Sequence, residues 1–355
     1  MSKIYVGTRK GLFTLDGGVA PRVVAAEFLG DNVSMVLADP RDGSVYAAFN
    51  HGHFGVKMKR CRAGGAWEDI AAPAFPPKPE GEEGDWTVKQ VWSLEAGGTD
   101  APGRLWAGTL PGGLFRSDDS GSSWTLVDSL WALRTGWGGG GYDYPGIHSL
   151  CVDPRDAGSL LAGVSTGGVW RTDDAGKSWR QTANGMRAEY MPPEKAHDPV
   201  SQDVHRVSRC LAAPDELWTQ HHNGVFRSSD GGNSWSELTN LPVSAFGFAV
   251  AVHPKEPGTA WLIPAVKDEK RYPKEGALVV NRTRDGGKTW TTLRRGLPQA
   301  HAYDLVYRHG LDIDASGREL AFGSTTGGFW TSADGGDSWN ALDARLPPVY
   351  CVRFA

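Results

Sequence analysis

Ser117-Asp-Asp-Ser-Gly-Ser-Ser-Trp124 is the first of five copies of one phrase. The others are Thr172-Asp-Asp-Ala-Gly-Lys-Ser-Trp179, Ser228-Ser-Asp-Gly-Gly-Asn-Ser-Trp235, Thr283-Arg-Asp-Gly-Gly-Lys-Thr-Trp290 and Ser332-Ala-Asp-Gly-Gly-Asp-Ser-Trp339. The shared pattern is S/T-x-D-x-G-x-S/T-W, and the central aspartates fall 55, 56, 55 and 49 residues apart. Self-similarity at a near-constant period marks a repeat architecture. In such folds each unit packs on its neighbours, so 355 residues need not share one compact core.

Residues 146–182 show what one unit contains. Ile147–Pro154 reads as a short strand ended by proline, Leu160–Ser165 as a second, and Val169–Asp173 as a third behind a Gly-Gly turn. The phrase then reverses the chain into a fourth strand, Ser178–Thr182. Four short antiparallel strands with Gly-rich turns make one blade of a β-propeller. The same order recurs at 33–70, 88–127, 205–239, 246–293 and 303–342, the first with a decayed phrase, Arg60-Cys-Arg-Ala-Gly-Gly-Ala-Trp67. Residues 3–28 hold only three strands, and 349–354 a lone one. Together they make a seventh blade that closes the ring and removes an exposed sheet edge. The expectation is an all-β protein, one seven-bladed propeller over 1–355 whose ring is closed by the N-terminal strands plus the C-terminal strand.

The phrase itself reads as structural. Asp119, Asp174, Asp230, Asp285 and Asp334 can accept turn N–H groups, and the glycine supplies a positive φ. Trp124, Trp179, Trp235, Trp290 and Trp339 each bring a large apolar surface between sheets. Five near-identical sites on separate blades do not make one active site. Gly176-Lys-Ser178 and Gly287-Lys-Thr289 echo the tail of a phosphate-binding loop, but its earlier glycine is replaced by Arg171 and Arg282 and a strand follows, so no nucleotide site is expected.

The phrase matches the Asp-box, or bacterial neuraminidase repeat, and the chain resembles Asp-box propellers throughout its length. That group includes sialidases, sortilin-type receptor domains, xyloglucan-active hydrolases and the photosystem II assembly factor. A single seven-bladed ring looks closest to the last type and its bacterial relatives. The resemblance implies either a binding and assembly module or a carbohydrate-active enzyme. A true sialidase would carry an Arg-Ile-Pro motif and an arginine triad, and neither can be matched here. The xyloglucan-active enzymes use a cleft between two propellers, which one ring cannot make.

A net charge of −4 and pI near 6.2 give no reason to expect nucleic acid as partner. No run of eighteen apolar residues suggests a membrane span. Four scattered cysteines, with a start that lacks an apolar leader, predict reduced thiols and a cytoplasmic protein.

Chain geometry separates the two faces of the ring. The boxes share one face with the turns between first and second strands. The long segments 71–87, 128–145, 183–204 and 264–276 belong to the other face, where binding is expected. The ligand-binding candidates there are His51, His53, Tyr142, Tyr144, His148, Tyr190, His205, Arg206, His221, His222, Asp268, Glu269, His301, Tyr303 and Arg308. Aromatics interleaved with charges suit sugar faces and hydroxyls, or a peptide. Glycosidase chemistry would need two carboxyls, with Asp143, Glu189 and Asp203 as candidates. No cofactor and no metal are expected. His51-x-His53, with His221, His222 or Asp203-x-His205 as further ligands, is the pattern nearest to a metal site, and two-residue spacing specifies little. The reading is a binding or assembly module for a carbohydrate, a small polar ligand or a protein partner, with a glycoside hydrolase as the alternative.

Overall fold

A computed structural model of the chain describes residues 2–84, 86–139 and 144–355. It is an all-β ring of seven four-stranded antiparallel sheets. Blade 1 joins Lys3–Thr8, Gly11–Asp16 and Arg22–Glu27 to the C-terminal strand Val349–Phe354, which pairs antiparallel with Lys3–Thr8. The innermost strands of blades 2 to 7 are Val33–Ala38, Gln90–Ala96, Ile147–Asp153, Val204–Arg209, Gly247–Val252 and Leu311–Ile313.

Every letter of the repeated phrase has a physical job. In the second box Thr172 Oγ1 donates to Asp174 Oδ1 at 2.8 Å and accepts the Gly176 N–H at 2.9 Å. The other side of the turn closes on the same carboxylate, with Ser178 N–H at 2.9 Å on Oδ1 and Ser178 Oγ at 2.6 Å on Oδ2. The circuit repeats around Asp119, Asp230, Asp285 and Asp334. The glycine of each box has φ between 82° and 93°, a region that a side chain strains. Asp174 and Asp285 are pulled down to a pKa of about 2, chiefly by the hydroxyls of Ser178 and Thr289.

In two of the boxes the tryptophan then ties its turn to the preceding blade by a hydrogen bond. Trp235 Nε1 donates to Thr182 O at 2.7 Å, and Trp124 Nε1 to Ala71 O at 3.0 Å. In blade 2, where the aspartate is lost, Glu68 pairs with Arg60 and Arg62 instead, and Trp67 still reaches back to Glu27 at 2.7 Å.

A second tie runs the other way and went unread in the sequence. Arg116, Arg171 and Arg282 stand immediately before their boxes, and each donates Nη1 to a box carbonyl of the next blade: Ala175, Gly231 and Gly335, at 2.7–2.9 Å. Arg60 makes the equivalent bond to Ser120 O at 2.7 Å, and Thr331 to Gly18 O at 2.6 Å. Between the sheets lie fully buried aromatics of the second strands, Trp106, Trp218 and Trp261.

Two outcomes follow. Trp235→Ala should cost about 3–5 kcal/mol in denaturant titration, as for other buried large-to-small changes, while Asp230→Ala should cost about 1–2 kcal/mol from lost hydrogen bonds. The boxes also set an acid limit. Carboxylates whose folded pKa is depressed stabilise fully above their ordinary value of 3.8 and lose that contribution as pH falls toward about 2. Melting temperature should therefore fall steeply over that window, and the fall should be shallower in a variant with two boxes changed to asparagine.

Candidate functional site

The cavity on the face opposite the boxes is built by a recurrent fault in the innermost strands. In six blades the ladder between first and second strands slips by a residue near its start. The bulged positions are Ser34, Trp92, His148, His205, Phe248 with Ala249, and Tyr350. A β-bulge re-aims its side chain. Ser34, Trp92, His205, Phe248 and Tyr350 all line a cavity of about 330 Å³ at the channel mouth, and His148 stands behind Trp92, edge-on at 5.3 Å. Blade 7 has no bulge: its first strand is short, and the preceding segment brings Tyr307, Arg308 and His309 to the wall.

The cavity has a floor. His309 Nε2 donates to His148 O at 2.7 Å, so its Nδ1 carries the lone pair. That lone pair accepts from Arg206 Nη1 at 3.0 Å and from Arg353 Nη2 at 2.9 Å. Glu95 adds its carboxylate 3.4 Å from Arg353 and 4.0 Å from Arg206. Five blades thus meet at the ring axis. Burial, with the two guanidinium charges, holds the His309 pKa well below the ordinary imidazole value, as the neutral acceptor role requires.

The wall carries both charge signs. Arg308 lies 4.9 Å from the ring centres of both Trp92 and Phe248. Arg271 pairs with Asp268 and lies over Phe248. Asp203 Oδ2 lies 3.2 Å from His222 Nδ1 and 3.6 Å from His205 Nε2. Burial works to raise the Asp203 pKa, but the His205 and His222 contacts and the Arg308 charge outweigh it and keep the carboxylate ionised. His222, although burial opposes its charge, is raised by its bond to Asp203. His205 is lowered by burial, only partly offset by Asp203, and its ring stacks on Phe248 at 4.5 Å.

The structure therefore gathers Asp203, His205, His222, Asp268 and Arg308 at one cavity and puts Arg206 in its floor. The remaining candidates lie elsewhere. His221 is fully buried against Phe226, its pKa pushed down by burial to about 3. His51 sits 3.7 Å from Asp31 and His53 is exposed, so neither joins His205 in a metal cluster. Glu189 is exposed beside Arg187, and Glu269 pairs with Lys267. Tyr190 bonds Ser201 O and sets its ring against His222, while His301 and Tyr303 are exposed. Tyr144 borders a separate depression with Phe75 and Trp86. Tyr142 and Asp143 fall outside the described residues.

Sequence reasoning passed over Trp92, Arg271, Tyr307, His309, Tyr350 and Arg353. A signal existed for two of them, since Trp92 and Tyr350 occupy the same place in their strands as His148 and His205.

The fold and its boxes define the class: a seven-bladed β-propeller of the Asp-box, or bacterial neuraminidase repeat, type. Within that class the chain is related to GH74 xyloglucanases and shares its fold with YCF48. No family model matches the chain. The oligoxyloglucan-reducing end-specific xyloglucanase of Emericella nidulans is 24% identical over 280 residues, which is 70% of this chain and 32% of that protein. The chain thus spans about a third of that relative's length. An ancestral GH74 enzyme superposes with a TM-score of 0.61 at 16% identity, over 99% of this chain and 40% of that one. YCF48 bound to D1 peptide superposes with a TM-score of 0.51 at 13% identity, over 87% and 82%. These structural likenesses establish the fold, and fold alone does not transfer function. Among the described residues no helix is long and apolar enough to cross a membrane.

The floor gives its own prediction. His309→Leu leaves two buried guanidinium groups without their shared acceptor. It should destabilise the protein by roughly 3 kcal/mol, the upper end for a buried group left unpaired, as measured by urea titration. The wild-type His309 ring should stay neutral, with its proton on Nε2, in NMR spectra at pH values where an exposed histidine is protonated.

Proposed function

We propose that this chain is a binding module that takes a small polyhydroxylated or otherwise polar ligand, a sugar unit or the end of a longer chain, at the face opposite its boxes. The one-ended cavity carries this reading. Its 330 Å³ sits at the small end of ligand pockets, which run about 300–1,000 Å³. It combines flat aromatic faces (Trp92, Phe248, Tyr307, Tyr350) with charges of both signs. Such a mixture suits a ligand with an apolar ring face and a polar rim.

The same cavity supports binding over hydrolysis. A glycosidase needs one carboxyl held protonated as acid and a second as base or nucleophile. Among the described residues, the carboxyls lining this cavity are Asp203, kept ionised by its histidines, and Asp268, paired with Arg271. Glu189, the other described candidate, stands away from it at Arg187. The four cysteines are free thiols, three of them buried, which supports our placing the protein in a reducing cytoplasm.

Calorimetric titration with xyloglucan oligosaccharides, cello-oligosaccharides and short peptides tests the proposal. Saturable binding of one class is expected. Tyr350→Ala and Arg271→Ala should each weaken it about tenfold, or ~1.4 kcal/mol, with little change in melting temperature. Release of shorter sugars on prolonged incubation, detected by chromatography, would replace the binding reading with an enzymatic one.

A further inference from the structure

We infer that Asp203, His205 and His222 form a binding site for a divalent first-row transition metal in the wall of the cavity. Asp203 and His205 flank Val204 at the start of the first strand of blade 5. His222 follows the end of the neighbouring strand Leu217–His221. The His222 N–H donates to Asp203 O at 2.9 Å, which pins the two segments together. One ligand atom from each of the three side chains lies within 4.8 Å of the others, a spacing that a bound ion would draw in.

Two features point to a cation between them. His205 Nδ1–H donates to Gly247 O at 2.6 Å, so in the neutral ring Nε2 presents its lone pair toward Asp203 Oδ2, 3.6 Å away. A lone pair facing a carboxylate oxygen repels it unless a positive centre lies between. Independently, Asp203 is 6% exposed and its Oδ1 is buried with no hydrogen-bond partner. A buried carboxylate oxygen without a partner is costly, and a metal ion removes that cost.

The surroundings match what metal sites use. Metal-ligating histidines commonly donate their second ring N–H to a backbone carbonyl, which fixes the tautomer, and Gly247 O does so for His205. Two imidazoles and one carboxylate without a thiolate favour zinc, manganese or iron(II) over magnesium or calcium. Three protein ligands leave further coordination positions open toward the cavity, where Asp268 and Arg271 stand. A metal there would hold an oxygen atom of the bound ligand.

The inference rests on this geometry and not on the identity of the organic ligand, so metal binding and sugar binding can fail separately. Protein purified without a polyhistidine tag is stripped with chelator, then titrated with zinc, manganese and cobalt chlorides alone. We expect about one equivalent to bind and a visible cobalt band to appear at saturation. His222→Ala is the first variant, because His222 is 26% exposed at its side chain whereas Asp203 and His205 are buried. It should weaken zinc binding by about 100-fold or more, beyond the 10–100-fold that loss of an outer-shell partner costs. Asp203→Asn, checked for folding by circular dichroism, should do the same. If none of the three metals binds the stripped protein, or if both variants bind as wild type does, the site is overturned.

Discussion

A four-stranded blade cannot bury either of its faces alone, so this protein exists only because each blade is held against the next. The holding device is the turn between third and fourth strands. Its aspartate draws in two hydroxyls and a backbone N–H, and this fixes the turn tightly enough to act as an attachment point. In two boxes the tryptophan that follows bonds backward through Nε1 to the preceding blade, and at five junctions an arginine or threonine from the preceding blade bonds forward to the turn's carbonyl. These hydrogen bonds run over a layer of buried aromatics, which supplies the packing common to the junctions. Blade 1 is completed by Val349–Phe354 on Lys3–Thr8, which joins the two ends of the chain in one sheet.

The rigid outer ring allows the inner strands to depart from regularity. Regular pairing would alternate side chains strictly between the two faces of each blade. A one-residue bulge near the strand start breaks that alternation and turns one side chain toward the axis. Repeated in six blades, it brings bulged side chains of five of them into one wall, with His148 of the sixth standing behind Trp92. The His309 crossing with Arg206 and Arg353 then shuts the channel beneath, so the cavity opens on one side only.

Much of this was legible residue by residue. The box hydroxyls, aspartate and glycine correspond to hydrogen bonds or to a positive φ, and the tryptophan to packing between blades. The leftover strands at the two ends announced how the ring closes, and loop lengths announced the face on which a cavity would lie. Candidate site residues were legible only in part. Asp203, His205 and His222 are near in sequence and meet at one point, whereas Tyr144 and His301 satisfied the same loop argument and stand outside the cavity. Loop membership places a residue on a face, but not at a given radius from the axis.

The sequence by itself determined the number of blades, their strand order, the closure and the structural role of the boxes, because all of these depend on local turns repeated at a fixed period. Only the tertiary structure decided which side chains share the cavity and what lies beneath it. His148, Arg206, His309 and Arg353 come from four blades, and their meeting depends on bulges and on the curvature of the closed ring. Neither leaves a periodic mark in the chain, since a bulge shifts the facing of a side chain without changing the residues around it.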